Sequence, residues 1–237
     1  MLALYNYCIY RIKSVDEHGV HSPFVFDLVT NVIYNYTAYY SFKGLEKFRE
    51  QLLNAPQTAQ IAREQKGAKY SQLLFRLVNN FQPKTVLEIG ASVGIDTAYL
   101  ATANSKIKIL SIREVSAINN SANEFFKELK LKNVELIIGN INETLPRVIN
   151  QHEQLDVVYV NGKNTSATIL NWFYQCLAKA NESSVFVFSN MHDSSEQEMA
   201  WMEIKNNERV RVTVDLFYLG LVFFRKEQVK QHFLIRF

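Results

Sequence analysis

Cysteine is scarce in this 237-residue chain: Cys8 and Cys176 are the only two, far apart and without metal-ligand spacing. A disulfide framework is not expected from such a pair, and a reducing cytoplasm is the expected compartment. Long apolar runs are missing as well. No stretch approaches the roughly 18 residues that a membrane-spanning helix requires. The opening ten residues are apolar and aromatic, yet no Lys or Arg precedes them, charge begins at Arg11, and no small-residue cleavage site follows. That pattern speaks against a secretory leader. Neither sign of charge dominates, since 26 basic and 23 acidic side chains leave a formal net charge of +3. Such a balance supplies no long-range field toward nucleic acid or an acidic membrane, so neither is an expected partner. No internal repeat or low-complexity linker appears.

What the chain does have is apolar mass. At 48% hydrophobic residues it can bury one large core. A single α/β domain with a helical N-terminal extension fits the length better than two independent domains. The expected division is an extension over 1–82 packing on a core over 83–237.

Before Pro83 the periodicity is helical throughout. Ser22-Pro23 reads as an N-cap followed by the first helical residue, with Phe26, Val29, Ile33 and Tyr34 recurring at helical spacing. Residues 44–65 carry a narrower apolar stripe, and Tyr70, Leu73, Leu74, Leu77 and Val78 mark a further amphipathic helix. From Lys84 the period changes. Thr85–Ile89, Ile107–Ile112, Val134–Ile138, Leu155–Val160 and Val185–Phe188 are short apolar or β-branched runs, which is how parallel strands buried on both faces read. Helical stretches over 95–103, 115–130, 142–150 and 165–179 alternate with them, predicting a doubly wound, mostly parallel sheet. After a helix near 195–206, the runs Val210–Leu216 and Leu219–Phe224 are too close for a parallel crossover and must form an antiparallel hairpin. Seven strands result. The basic, aromatic tail over 226–237 reads as a strap on the sheet edge, with a partner-binding peptide as the lesser alternative.

The strongest local signal is Val86-Leu87-Glu88-Ile89-Gly90-Ala91-Ser92-Val93-Gly94-Ile95. A buried strand ends at Glu88, two glycines bracket a tight turn, and a helix follows at once. Gly90 permits unusual dihedrals and close approach of a ligand to the backbone. Helix-start amides near Gly94 favour a carboxylate, while Glu88 suits an ammonium group. A ligand end carrying both charges, as an amino acid does, fits Glu88, Gly90, Ala91, Ser92 and Gly94 better than a pyrophosphate. The carboxyl edge of a parallel sheet is where such folds bind ligands.

Gly67-Ala68-Lys69-Tyr70-Ser71-Gln72-Leu73-Leu74, then Leu87-Glu88-Ile89-Gly90, Gly94 and Thr97-Ala98-Tyr99-Leu100-Ala101, resembles the catechol and caffeoyl-CoA type O-methyltransferases. The opening His18-Gly19-Val20-His21-Ser22-Pro23-Phe24-Val25-Phe26 is similar to an uncharacterised bacterial group of class I methyltransferases. The likeness spans roughly residues 18–225. It implies a class I, Rossmann-like methyltransferase fold, S-adenosylmethionine (SAM) as cofactor, and a small-molecule methyl acceptor.

The chain departs from that family at several matched positions. Relatives end the second strand with an acid that binds the ribose hydroxyls; here Arg113 stands there, followed by Glu114. Arginine cannot accept hydrogen bonds, so either a bulge hands the role to Glu114 or Arg113 is a solvated loop residue. An arginine there could also hold a 2′-phosphate, an NADP reading opposed by the glycine spacing and the terminal hairpin. Where relatives carry metal-binding acids, this chain offers the neutral Asn161, Ser189 and Asn190, a poor set for a hard cation. No tight divalent metal is expected. Asn164 stands at the base position, leaving Lys163, or His192 with Asp193 as its orienter, as candidate bases. His18 and His21 read as helix-start residues rather than ligands. Asn140, after the third strand, matches an adenine contact, which its amide can make. The function expected is methyl transfer. The alternative is a degenerate relative serving as a binding or scaffold protein. The aromatic-rich N-terminal helices offer a surface for a homodimer.

Overall fold

The computed structural model describes residues 2–56, 58–64, 67–90, 93–116, 118–162 and 164–237. In chain order the elements are helix α1 (Leu2–Lys13), a short 3-10 turn (Glu17–Gly19), α2 (Pro23–Leu28) continued by a π-turn (Val29–Ile33), α3 (Tyr40–Asn54), α4 (Ala59–Glu64) and α5 (Ala68–Phe81). There follow β1 (Thr85–Ile89), α6 (Ile95–Ala103), β2 (Lys108–Arg113), α7 (Ile118–Glu128), β3 (Val134–Ile138), α8 (Ile141–Asn150), β4 (Val157–Val160) and α9 (Ser166–Leu177). The chain ends with β5 (Val185–Ser189), α10 (Ser195–Asn206), β6 (Val212–Asp215), β7 (Leu219–Phe223) and β8 (Gln231–Leu234). The class is the expected one, α/β with mostly parallel strands, but there are eight strands among the described residues rather than seven.

Two compact units form. The central unit is Asn35–Leu145; the terminal unit is Met1–Tyr34 with Pro146–Phe237.

In the central unit β3, β2 and β1 lie side by side, all parallel. The register sets Glu88 against Ser111, Ile89 against Ile112, and Arg113 against Ile138. Both ladders continue one bond past the strands, from Gly90 N–H to the Ile112 carbonyl (3.1 Å) and from Gly139 N–H to that of Arg113 (2.9 Å). The β1 and β2 side chains are buried on both faces because helices cover them; Leu45, Phe48, Phe75, Ile95, Tyr99, Phe125 and Phe126 pack in one core. The apolar stripe over 44–65 is divided between two helices, α3 and α4. Pro56 disfavours a helical residue before it, and Ala55 accordingly turns extended, at φ −83° and ψ 126°.

In the terminal unit the order is β4-β5-β7-β6-β8. β4 and β5 are parallel, and β7 returns antiparallel between β5 and β6, as the short connection demanded. β8 is the strap foreseen in the tail, parallel to β6 with Thr213 against His232. Ser22 caps α2 by accepting from the Val25 amide, with Pro23 at the first turn. His18 and His21 are exposed beside it. Among the described residues no helix is long and apolar enough to cross a membrane.

Candidate functional site

The central unit gathers six of the expected residues at the carboxyl ends of its strands: Glu88 and Gly90 from β1, Gly94 at the start of α6, Arg113 and Glu114 from β2, and Asn140 before α8. Ala91 and Ser92 lie outside the described residues. Gly90 and Gly94 both take positive φ, +78° and +95°, where side chains are disfavoured. Gly94 has a second reason to be glycine. A Cβ there would sit 3.0 Å from the Phe126 ring and 3.3 Å from Ala122, so its place is set by the packing of α6 on α7.

Glu88 is 1% exposed. Its Oε2 accepts from Thr97 Oγ1 at 2.6 Å and from Ser111 Oγ at 2.7 Å. Its Oε1 is buried and has no hydrogen-bond partner among the described residues. Burial pushes the carboxyl above the usual carboxylate range, while the charge of Arg113 and the Thr97 and Ser111 hydrogen bonds pull it back.

Arg113 corrects the sequence reading. It is neither a solvated loop residue nor a ribose-facing one: it closes β2, is 1% exposed, and turns inward. Its Nε donates to Ser111 Oγ (3.1 Å), its Nη2 to Thr97 Oγ1 (2.8 Å), and the guanidinium lies 5.7 Å from the centre of the Phe126 ring. The interior position also removes it as a 2′-phosphate ligand. Arg113 is thus linked to Glu88 through the Ser111 and Thr97 hydroxyls rather than by a direct ion pair.

Glu114, the next residue, is exposed and accepts from the Ile141 amide through Oε1 at 3.1 Å. Asn140 accepts from the Asn142 amide through its own Oδ1 at 2.9 Å. Both residues therefore satisfy orphan donors at the start of α8. Thr97 and Ser111 were not singled out from sequence. Ser111 carried a signal: a hydroxyl inside an otherwise apolar, doubly buried strand needs a partner.

The terminal unit holds the remaining candidates. Asn161 Oδ1 accepts from Gly162 N–H (2.8 Å) and Ser189 Oγ (3.0 Å), and Asn190 Nδ2 donates to Ser189 Oγ at 3.1 Å. The matched metal positions thus form a neutral network of mutual hydrogen bonds. Among the described residues no group of three or more His, Cys, Asp or Glu side chains could hold a metal ion. Lys163 lies outside the described residues.

His192 has different partners from those expected. Its Nε2 meets Asp215 Oδ2 at 2.8 Å and its Nδ1 meets Glu198 Oε1 at 3.2 Å, so the orienting carboxylates come from β6 and α10 rather than from Asp193. The ring lies flat against Phe217, 5.0 Å between centres. Burial lowers its pKa, but the hydrogen bonds and charges of Asp215 and Glu198 outweigh burial and leave it above the ordinary histidine value. Carboxylates at both nitrogens favour the charged form of the imidazole.

A family model described as "Putative methyltransferase" matches residues 82–161. No curated protein matches the sequence. Among solved structures the chain is similar to the SAH-bound methyltransferase PaMTH1 of Podospora anserina, with TM-score 0.66 and 11% identity over 86% of this chain and 97% of that one. It is similar to the Bacillus cereus O-methyltransferase in complex with SAH, with TM-score 0.61 and 14% identity over 80% and 93% of the two chains. TomG of Streptomyces achromogenes, an O-methyltransferase solved with SAM, gives TM-score 0.61 and 17% identity over 85% and 94%. At such identities the likeness establishes the fold: this chain has the Rossmann-like fold of the class I methyltransferases.

Proposed function

We propose that the chain is a SAM-dependent methyltransferase, of the O-methyltransferase type, acting on a small molecule without a tightly bound metal. One observation carries the reading. Among the described residues the Oε1 atom of Glu88 is buried and unpartnered near the end of β1, two residues before the positive-φ glycine Gly90. Buried acceptors are normally satisfied, and an ammonium group arriving at this turn would satisfy it. The residues fit the amino-acid end of SAM in that respect, and the three similar structures solved with SAM or SAH support the same choice.

SAM, when bound, supplies a methyl group activated on a sulfonium, so transfer rests mainly on in-line positioning. Glu88 would receive the ammonium, and Gly90, Ala91, Ser92 and Gly94 are the residues we assign to the amino-acid end. Glu114 and Asn140 border the nucleoside from the ends of β2 and β3. Asn161, two residues before Lys163, and Ser189, hydrogen-bonded to Asn161, are polar and uncharged; Lys163 takes the acceptor's proton. Because Asn161 Oδ1 already accepts two hydrogen bonds, neutral donors and prior commitment both speak against a divalent ion there.

The helical stretch 1–82 serves as an extension of the core over 83–237. Its helices pack on core elements within each unit, as Phe42 does on Tyr99 and Phe24 on Phe223. A cytoplasmic enzyme with no nucleic-acid partner, dimerising through its N-terminal helices, completes the proposal. Calorimetric titration with SAM, SAH and NADPH tests it. Binding of the first two is expected. Binding of NADPH alone would replace the reading with a dinucleotide one, and binding of none would leave a methyltransferase fold without its cofactor. Lys163→Met should keep SAH affinity and lose turnover.

A further inference from the structure

Glu88 and Arg113 make no direct contact within 4 Å among the described ion pairs, yet they belong to one hydrogen-bonded ring. A guanidinium can only donate. Ser111 and Thr97 therefore accept from Arg113 through their oxygens and must turn their own protons to Glu88 Oε2, at 2.7 Å and 2.6 Å. The direction of all four bonds is forced by the chemistry of one residue. The parallel register explains the placement: Ser111 stands opposite Glu88, and Arg113, two residues on, shares its face. Oε2 is left with two donors, and Oε1 is left buried with none among the described residues.

We propose that Arg113 is a positioning residue for the Glu88 carboxylate. Through the two hydroxyls it holds the negative charge in place and directs Oε1 to the ammonium group of an amino-acid-bearing nucleoside. The end of β2 has thereby exchanged a ribose-binding role for an internal counter-ion. The ligand half of this inference rests on the proposed function; the pairing of Arg113 with Glu88 does not.

The groups facing Glu88 are Thr97 and Asp96 from α6, Ser111 from β2 and Arg113 itself. Asp96 raises its affinity for a proton, whereas Arg113 and the two hydroxyls lower it. With Arg113 gone, burial is less opposed and the carboxyl holds its proton to higher pH.

The test uses the full chain with glutamate carboxyls labelled with ¹³C, the Glu88 resonance being assigned by its loss in Glu88→Gln. In the ligand-free protein the Glu88 midpoint should move up by about one pH unit or more in Arg113→Gln and return toward wild type in Arg113→Lys. Where Arg113→Gln does not fold, Ser111→Ala cuts one arm of the relay and should move the midpoint in the same direction. Binding is then measured against pH with SAH and with 5′-methylthioadenosine, which lacks the amino-acid end. The acid limit of SAH binding should follow the Glu88 midpoint, while methylthioadenosine binding should not. An identical midpoint in wild type and Arg113 variants overturns the pairing. A midpoint that follows Arg113 in a protein that does not bind SAH overturns the nucleoside reading and the ligand half alone. SAH binding whose pH profile ignores Arg113 overturns the ligand half while leaving the nucleoside reading standing.

Discussion

The Nε2 of His192 lies 2.8 Å from Oδ2 of Asp215, and the same carboxylate oxygen accepts the indole N–H of Trp201 at 2.9 Å. Asp215 also accepts the Phe217 amide through its other oxygen, and Glu198, on the far side of the imidazole, accepts from Asn6 of α1. One ring thus ties the loop after β5 to β6, α10 and the N-terminal helix.

Since the folded pKa of His192 is raised above its ordinary value, folding favours the imidazolium. Its contribution to stability is complete below about pH 6.5, the ordinary histidine value, and is lost as pH rises through the raised folded value. His192→Gln should therefore lower the melting temperature more at pH 6 than at pH 9, with a loss at pH 6 on the order of 2 kcal/mol. Thermal unfolding across that range checks it. A loss that is the same at both ends would show that the ring is held without its charge.

Two glycines should respond to alanine in opposite senses. Gly220, on β7, lies under Trp201, and a Cβ there would meet the ring at 2.7 Å. Strands on both sides prevent retreat, since Gly220 pairs with Phe188 and with Asp215. Gly220→Ala should cost about 1–3 kcal/mol. Gly44, inside α3, has nothing within 4 Å of its would-be Cβ, so Gly44→Ala should stabilise by about 0.5–1 kcal/mol. Denaturant unfolding of the two variants compares them directly.

Replacing Asn161 and Ser189 by aspartate together should convert the neutral network into a cation site. The two side chains already touch, with Ser189 Oγ 3.0 Å from Asn161 Oδ1, and carboxylates are what a hard cation lacks there. Calorimetry with Mg²⁺ or Mn²⁺ should show binding by the double variant and none by the wild type. Unchanged metal affinity would count against the alignment of these two loops with the metal-binding relatives.

Much of the fold was legible because its signals are local. Strands β1 and β3 and helices α6 and α10 fall on the residues where the change from helical to strand period placed them. The hairpin followed from a connection too short for a crossover. The break at Ala55 was not read, although Pro56 carried the signal for it. The strap β8 was anticipated as packing but not as a strand, because a four-residue edge segment carries little periodicity. At the site, the glycine turn and Glu88 were readable from composition and spacing. The direction of Arg113 was not. Whether an arginine at a strand end turns out to solvent or inward depends on the register that sets Ser111 beside Glu88, and on Thr97 arriving from α6. The orienting partner of His192 was misread for a similar reason: its carboxylates lie 6 and 23 residues away, whereas sequence offered only the adjacent Asp193.

The central claim is that the buried oxygen of Glu88 receives a cationic end of the ligand. It is tested most directly by calorimetric titration of SAH into wild type and Glu88→Gln at neutral pH. The account predicts affinity about 10- to 100-fold weaker in the variant, the usual worth of a charge-assisted hydrogen bond, with 5′-methylthioadenosine bound alike by both. Equal SAH affinity in the two proteins would contradict it.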